Sequence, residues 1–263
     1  MWPPASLATG VVAAATLLAG CSASSGATAA HGFDAPGASV GQRIDAALPG
    51  AVTAPVLVAS TGRRVSLASL SGRVLVVSDM MTLCQETCPL DTANVVAAAQ
   101  AVERAGLGSK VEFLSISIDP RRDTPERLAA YRKLYAPAPA DWLVATGTSA
   151  QLASLWKALG VYIQRVPDTP PAPRDWLTGT PLTYDLTHSD EVFFIDRRGH
   201  ERFVLDGPPH VSSGAPIPAR LKKFLDGDGR QNLTHPNTHA WTLPQELQVL
   251  SWLLGHRIPA GSN

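Results

Sequence analysis

The stretch Arg73–Asp79 (RVLVVSD), followed at once by TLCQETCPLD, constrains the fold more than any other part of the chain. A continuous apolar run of this kind is a strand covered on both faces. It hands over to the helical pattern TANVVAAAQAVERAG, with Pro89 suited to the first turn and Gly106 to the stop. The same strand-then-helix pairing recurs. VEFLSISID (111–119) reads as a strand, and Asp123-Thr124-Pro125-Glu126 opens a helix running to about Tyr135. That tetrapeptide offers a capping oxygen, a first-turn proline and an acid near the positive helix end. WLVATG (142–147) is a strand, SAQLASLWKALG (149–160) a helix closed by glycine, and VYIQRV (161–166) a further strand.

The flanks complete the pattern. PVLVAS (55–60) and RRVSL (63–67) surround a Thr61-Gly62 turn and predict a leading β-hairpin. After the Pro-rich loop PDTPPAPRDW, EVFFIDRRGHERFVL contains two strands around an Arg198-Gly199 turn. PARLKKFL and PQELQVLSWLL predict two closing helices, separated by an irregular segment at about 226–243. Strands alternating with helices argue for a largely parallel sheet covered on both faces, and the final antiparallel pair makes it mixed. The expected class is α/β and thioredoxin-like: a mixed central sheet flanked by helices, with an N-terminal β-hairpin and a C-terminal helical extension. Trp142, Trp156, Tyr131 and Tyr162 lie in apolar patterns and are expected in the core.

The N-terminus speaks to location. Residues 5–20 form an apolar run shorter than a bilayer-spanning helix needs, ending Leu18-Ala19-Gly20-Cys21 before the small, polar SASSGATAA. This resembles a bacterial lipoprotein signal, cleaved before a cysteine that then carries lipid, although the first basic residue is only Arg43. The expected organisation is a signal peptide over 1–20, a flexible Ala/Gly/Ser tether over 21–50, and one folded domain over 51–258. The expected location is the extracytoplasmic face of a bacterial cell membrane, held by lipid on Cys21. Acidic and basic residues cancel at 22 each, so no overall field recruits nucleic acid, and a monomer is expected.

Of the three cysteines, a lipidated Cys21 would leave Cys84 and Cys88 as the pair. Cysteines at i and i+4 entering a helix place both sulfurs on one side, and the helix N-terminus should lower at least the Cys88 thiol. Thiolates serve soft-metal binding, disulfide exchange or a structural disulfide, and the spacing alone leaves all three open.

The order of motifs narrows the choice. SISIDPRRDTPERLAAYRKLY (115–135) after C-x3-C-P, DWLVATGTSAQLASLWKALGVY (141–162) and TYDLTHSDEVFFIDRRG (183–199) together resemble the Sco/SenC family, the assembly factors of cytochrome oxidase. The resemblance covers roughly residues 50–207. It implies a copper site, Cu(I) or Cu(II), with Cys84, Cys88 and His188 as ligands, and a Cys84–Cys88 pair able to form a disulfide. It also implies a copper-bearing oxidase subunit or similar acceptor as partner. Two thiolates and an imidazole suit that metal, whereas closed zinc sites take a fourth ligand. Without the resemblance His188 would have no special claim.

The chain departs from the family at Thr187, where Asp is common before the histidine; Asp185 or Asp190 could supply the missing charge. Met80 and Met81 stand where aromatics are common and could be auxiliary ligands, though core packing is the simpler role. His235 and His239 have H-x3-H spacing, but Pro236 between them marks a surface loop rather than a zinc site. Two readings of function follow: a copper metallochaperone, which is not an enzyme, and a thiol–disulfide oxidoreductase that uses Cys84 and Cys88 to reduce an acceptor's cysteines before metallation. A peroxidase of the same fold is weaker, since no dedicated peroxidatic surroundings are visible.

Overall fold

The structure is a computed structural model that describes residues 1–2, 33–168, 171–212 and 215–260. Cys21, the signal-like segment and the first part of the expected tether lie outside the described residues. In chain order the elements are β1 (Gln42–Ala47), α1 (Gly50–Thr53), β2 (Leu57–Ala59), β3 (Arg64–Val65), β4 (Val74–Met80) and α2 (Cys88–Arg104). Next come β5 (Val111–Ser117), α3 (Pro125–Leu134), β6 (Trp142–Thr146), α4 (Ser149–Leu159), β7 (Ile163–Pro167) and β8 (Tyr184–His188). The chain closes with β9 (Glu191–Ile195), β10 (His200–Asp206), β11 (Pro209–His210), α5 (Ala219–Phe224), α6 (Gly227–Thr234), β12 (Trp241–Thr242) and α7 (Leu243–Leu254).

Eight strands form one mixed sheet in the order β1-β10-β9-β4-β5-β6-β2-β3. The centre, β4-β5-β6, is parallel, as crossover helices α2 and α3 require. β9 runs antiparallel beside β4, and β2 antiparallel beside β6. The fold is the thioredoxin-like α/β arrangement expected, with β4 at its middle. Every residue of β4 and β5 is buried, which accounts for their unbroken apolar runs.

Local chemistry sets the element ends. The Thr124 hydroxyl accepts the Arg127 amide at 3.3 Å and caps α3, with Pro125 in the first turn. Thr148 and Gln151 form a capping box on α4, which Gly160 ends in the left-handed region at φ 82°.

Three expectations need correction. The tether does not extend to residue 50: Gln42–Ala47 adds an edge strand, β1, antiparallel to β10. Its side chains are mostly exposed, so the segment carries little apolar signal and is held by backbone pairing. The region 226–243 is not wholly irregular, because it contains α6 and β12. Tyr162 is not core but 55% exposed. It follows the glycine stop of α4 and leads into β7, which leaves the main sheet to pair with β8 as a separate ribbon. Trp142, Trp156 and Tyr131 are fully buried, as expected. Among the described residues, no helix is long and apolar enough to cross a membrane.

Candidate metal centre

Cys84 lies in the turn after β4, Cys88 opens α2, and His188 ends β8. The cysteines are four residues apart, whereas His188 lies 100 residues beyond Cys88 and is brought to the turn by the β7–β8 ribbon. One donor atom from each lies within 4.8 Å of the others. The Cys88 Sγ to His188 Nε2 distance is 3.7 Å. Both cysteines are free thiols in the structure and almost dry, at 4% and 0% exposed.

The helix end acts on Cys84 rather than on Cys88. The Cys88 amide, one of the orphan donors at the start of α2, donates to Cys84 Sγ at 3.3 Å. The sulfur therefore fills the place of a capping oxygen, and Thr87 makes no side-chain cap. A hydrogen bond from the Cys88 thiol lowers the Cys84 thiol well below its usual range against the opposing effect of burial, and His188 adds to this. Burial pushes Cys88 the other way, well above its usual range, and the neighbouring Cys84 sulfur reinforces the rise. The expectation of a lowered Cys88 is thus reversed: complete desolvation outweighs its position on the helix.

His188 is oriented by its other nitrogen. Nδ1 lies 2.6 Å from the Ser189 carbonyl oxygen and 2.8 Å from Asp79 Oδ2, which places its proton there and turns Nε2 toward the sulfurs. Burial disfavours the imidazolium, but Asp79 and Cys84 prevail and raise His188 well above its ordinary value. Asp79 is fixed in turn by the Glu191 amide, which donates to its Oδ1 at 3.0 Å. The carboxylate at the histidine therefore comes from β4. Thr187 is exposed, and Asp185 is not hydrogen-bonded to the ring. Half-buried Asp190 places a carboxylate oxygen within 4.8 Å of donor atoms of Asp79 and His188, and Asp91 is buried; burial and the nearby carboxylates raise Asp190 to about 7 and Asp91 well above its usual range.

The segment after β5 scaffolds the site, a role the sequence alone did not reveal. The Thr82 hydroxyl donates to Asp123 Oδ1 at 2.5 Å, and the Ser117 hydroxyl to Asp123 Oδ2 at 2.6 Å. Arg122 pairs with Asp119, donates to the Tyr184 carbonyl at 2.7 Å and stacks on the Tyr184 ring. Trp176 donates from Nε1 to the Thr82 carbonyl at 2.6 Å. The cysteine turn and the histidine strand are both tied to this segment. Asp79 and Trp176 carried no periodic signal, since one is a polar residue inside an apolar strand and the other sits in a Pro-rich loop.

Met80 and Met81 are buried in the core, and Met81 Sδ lies 4.0 Å from an Arg122 nitrogen. His235 and His239 are exposed and belong to no metal-sized group among the described residues.

A buried thiol–thiol–imidazole set at the strand-to-helix turn of a thioredoxin-like sheet is a donor set suited to soft-metal or thiol-redox chemistry. The family model described as SCO1/SenC matches residues 52–224, and the chain belongs to the SCO1/SenC family. It is 31% identical over 88 residues to the SCO1 protein homolog of Bacillus subtilis (strain 168), covering 34% of this chain and 45% of that one. It is 26% identical over 144 residues to a SCO2-like protein of Rickettsia conorii, covering 53% and 62%. The alignments thus span 45% and 62% of the length of these curated relatives. Among solved structures, that of Bradyrhizobium japonicum ScoI with copper bound is 23% identical with a TM-score of 0.47, covering 70% of this chain and 99% of that chain.

Proposed function

We propose that this protein binds copper through Cys84, Cys88 and His188 and delivers it to an extracytoplasmic acceptor, the copper-bearing subunit of cytochrome oxidase being the class of partner that membership of the family suggests. The observation that carries this reading is the aim of His188: its Nδ1 is occupied by Ser189 and Asp79 while Nε2 faces the Cys88 sulfur at 3.7 Å. The donor chemistry fits the metal, since two soft sulfurs and one imidazole hold Cu(I) without a fourth protein ligand and also accept Cu(II). Copper is cargo here. The chain's part is to present the two sulfurs and Nε2, to give up the thiol and imidazole protons as metal enters, and to keep water out of a nearly dry site.

The test is an anaerobic copper titration of the reduced protein beside His188→Ala. One tightly held equivalent that weakens strongly in the variant supports the site; equal affinity in both overturns it.

A second reading, thiol–disulfide exchange with an acceptor's cysteines, is favoured by the opposed shifts of the two thiols, with Cys84 the more thiolate-like and the less buried. A reversible Cys84–Cys88 disulfide would then alternate with the metal-competent dithiol. A mixed disulfide trapped with Cys88→Ser supports this role, and failure to exchange with any dithiol peptide counts against it. Anchorage by lipid on Cys21 at the extracytoplasmic membrane face rests on the Leu18-Ala19-Gly20-Cys21 pattern. Lipid labelling that persists in Cys21→Ser would overturn it.

A further inference from the structure

The three residues between the cysteines are held from outside the turn by the start of α6. The Asp226 amide donates to the Gln85 carbonyl oxygen at 3.1 Å. One turn on, Gly229 lies so close to the same peptide that a Cβ there would sit 2.1 Å from the Gln85 oxygen and 3.1 Å from its carbonyl carbon. Asp226 faces both ways, because its own Oδ1 accepts the Gly229 amide at 2.7 Å and caps α6. Just upstream, Phe224 packs with Leu83, the residue before Cys84, in a small apolar cluster of its own. A side chain at residue 229 cannot fit without moving the peptide that joins the two ligand cysteines.

We infer that Asp226 and Gly229 are positioning residues for the metal centre, an external clamp on the Cys84–Cys88 turn supplied by the C-terminal extension. The family match ends at residue 224, so the clamp belongs to the part of this chain beyond the matched segment. The Gln85 peptide sets how far apart the two sulfurs stand and how the Cys88 amide reaches Cys84. Left to solvent, a carbonyl in a three-residue turn could rotate; bonded to Asp226 and packed under Gly229, it is held in one orientation. The inference rests on the copper reading for its consequence but not for its geometry.

The test compares Gly229→Ala with Gly227→Ala, a substitution in the same helical turn where a Cβ meets nothing within 4 Å. Asp226→Pro is the second variant. It removes both the amide donor and the Oδ1 cap and sets a ring carbon against the Gln85 oxygen, while φ of −80° at 226 with ψ of 135° at Leu225 keeps the local backbone compatible with proline. Two quantities are read: copper affinity and absorption spectrum by anaerobic competition, and the alkylation rate of Cys84 in the reduced, metal-free protein. Gly229→Ala and Asp226→Pro are expected to weaken copper by about tenfold or more, the usual scale for loss of outer contacts to a metal ligand, and to speed alkylation. Gly227→Ala should match wild type in both. Should Gly229→Ala fail to fold, Asp226→Pro alone decides. Affinity, spectrum and alkylation rate equal to those of wild type in the clamp variants would overturn the inference. Absence of copper binding by wild type would instead overturn the copper reading, and the alkylation rates would still decide the clamp.

Discussion

Removing the charge behind His188 while keeping its shape gives a prediction whose size the structure bounds. In Asp79→Asn the backbone of β4 is untouched, and the Glu191 amide can still donate to the remaining carbonyl oxygen, as it now does to Oδ1 at 3.0 Å. The Ser189 carbonyl still accepts from Nδ1 at 2.6 Å, so the tautomer that leaves Nε2 free is retained. What disappears is the carboxylate oxygen 2.8 Å from Nδ1, replaced by an amide NH2 that cannot accept its proton, and with it the negative charge that makes the imidazole a stronger donor. Losing an outer partner of a metal-binding histidine typically costs 10- to 100-fold in affinity, about 1.4–2.7 kcal/mol. Because one of two partners survives here, the expected loss lies near the lower end, about tenfold. His188→Ala, which removes the donor itself, should lose far more. Competition against a copper(I) chelator under anaerobic conditions measures both. Unchanged affinity in Asp79→Asn, or a loss as large as that in His188→Ala, would refute the view of Asp79 as an orienting partner.

Three further outcomes follow from particular residues. In the reduced, metal-free protein Cys84 should react with iodoacetamide faster than Cys88 near neutral pH, measured by peptide mapping, because Cys84 is lowered and Cys88 raised. Glu246 on α7 is wholly buried with neither carboxylate oxygen hydrogen-bonded, and burial raises it to about 8. A carboxyl whose folded value exceeds its unfolded one holds its proton better in the native state, so stability should fall as pH rises from about 4.5 to 8. Glu246→Met should remove its own share of that slope and add about 2 kcal/mol or more at pH 9 relative to pH 5, read by urea unfolding at the two pH values. A Cβ at Gly41 would stand 2.4 Å from the Val204 carbonyl oxygen, so Gly41→Ala should cost about 1–3 kcal/mol if β1 is an integral strand. No loss of stability on urea unfolding would mean that the segment before residue 50 contributes little to the sheet.

Local signals served well where structure is local. The unbroken apolar runs of β4 and β5 mark strands covered on both sides, and Asp123-Thr124-Pro125-Glu126 marks the start of α3 with its cap. The cysteine spacing and the histidine became a site only through the order of motifs, since nothing in the pattern around His188 distinguishes it from a solvated residue. The remaining partners of the site are joined by long-range pairing, which leaves no periodic trace. Asp79 reads as a stray polar residue in a strand, Trp176 as part of a Pro-rich loop, and Gly229 as a flexible position, yet all three hold the turn or the ring. The same reason hid β1, an exposed strand defined by its backbone partner β10, and placed Tyr162 on the surface despite its apolar neighbours.

The most direct test of the copper centre is X-ray absorption at the copper edge of the reduced protein loaded with one equivalent of Cu(I). Two sulfur donors and one imidazole nitrogen are expected, the nitrogen lost in His188→Ala. A spectrum fitted by sulfur alone, or one that His188→Ala leaves unaltered, would contradict that donor set.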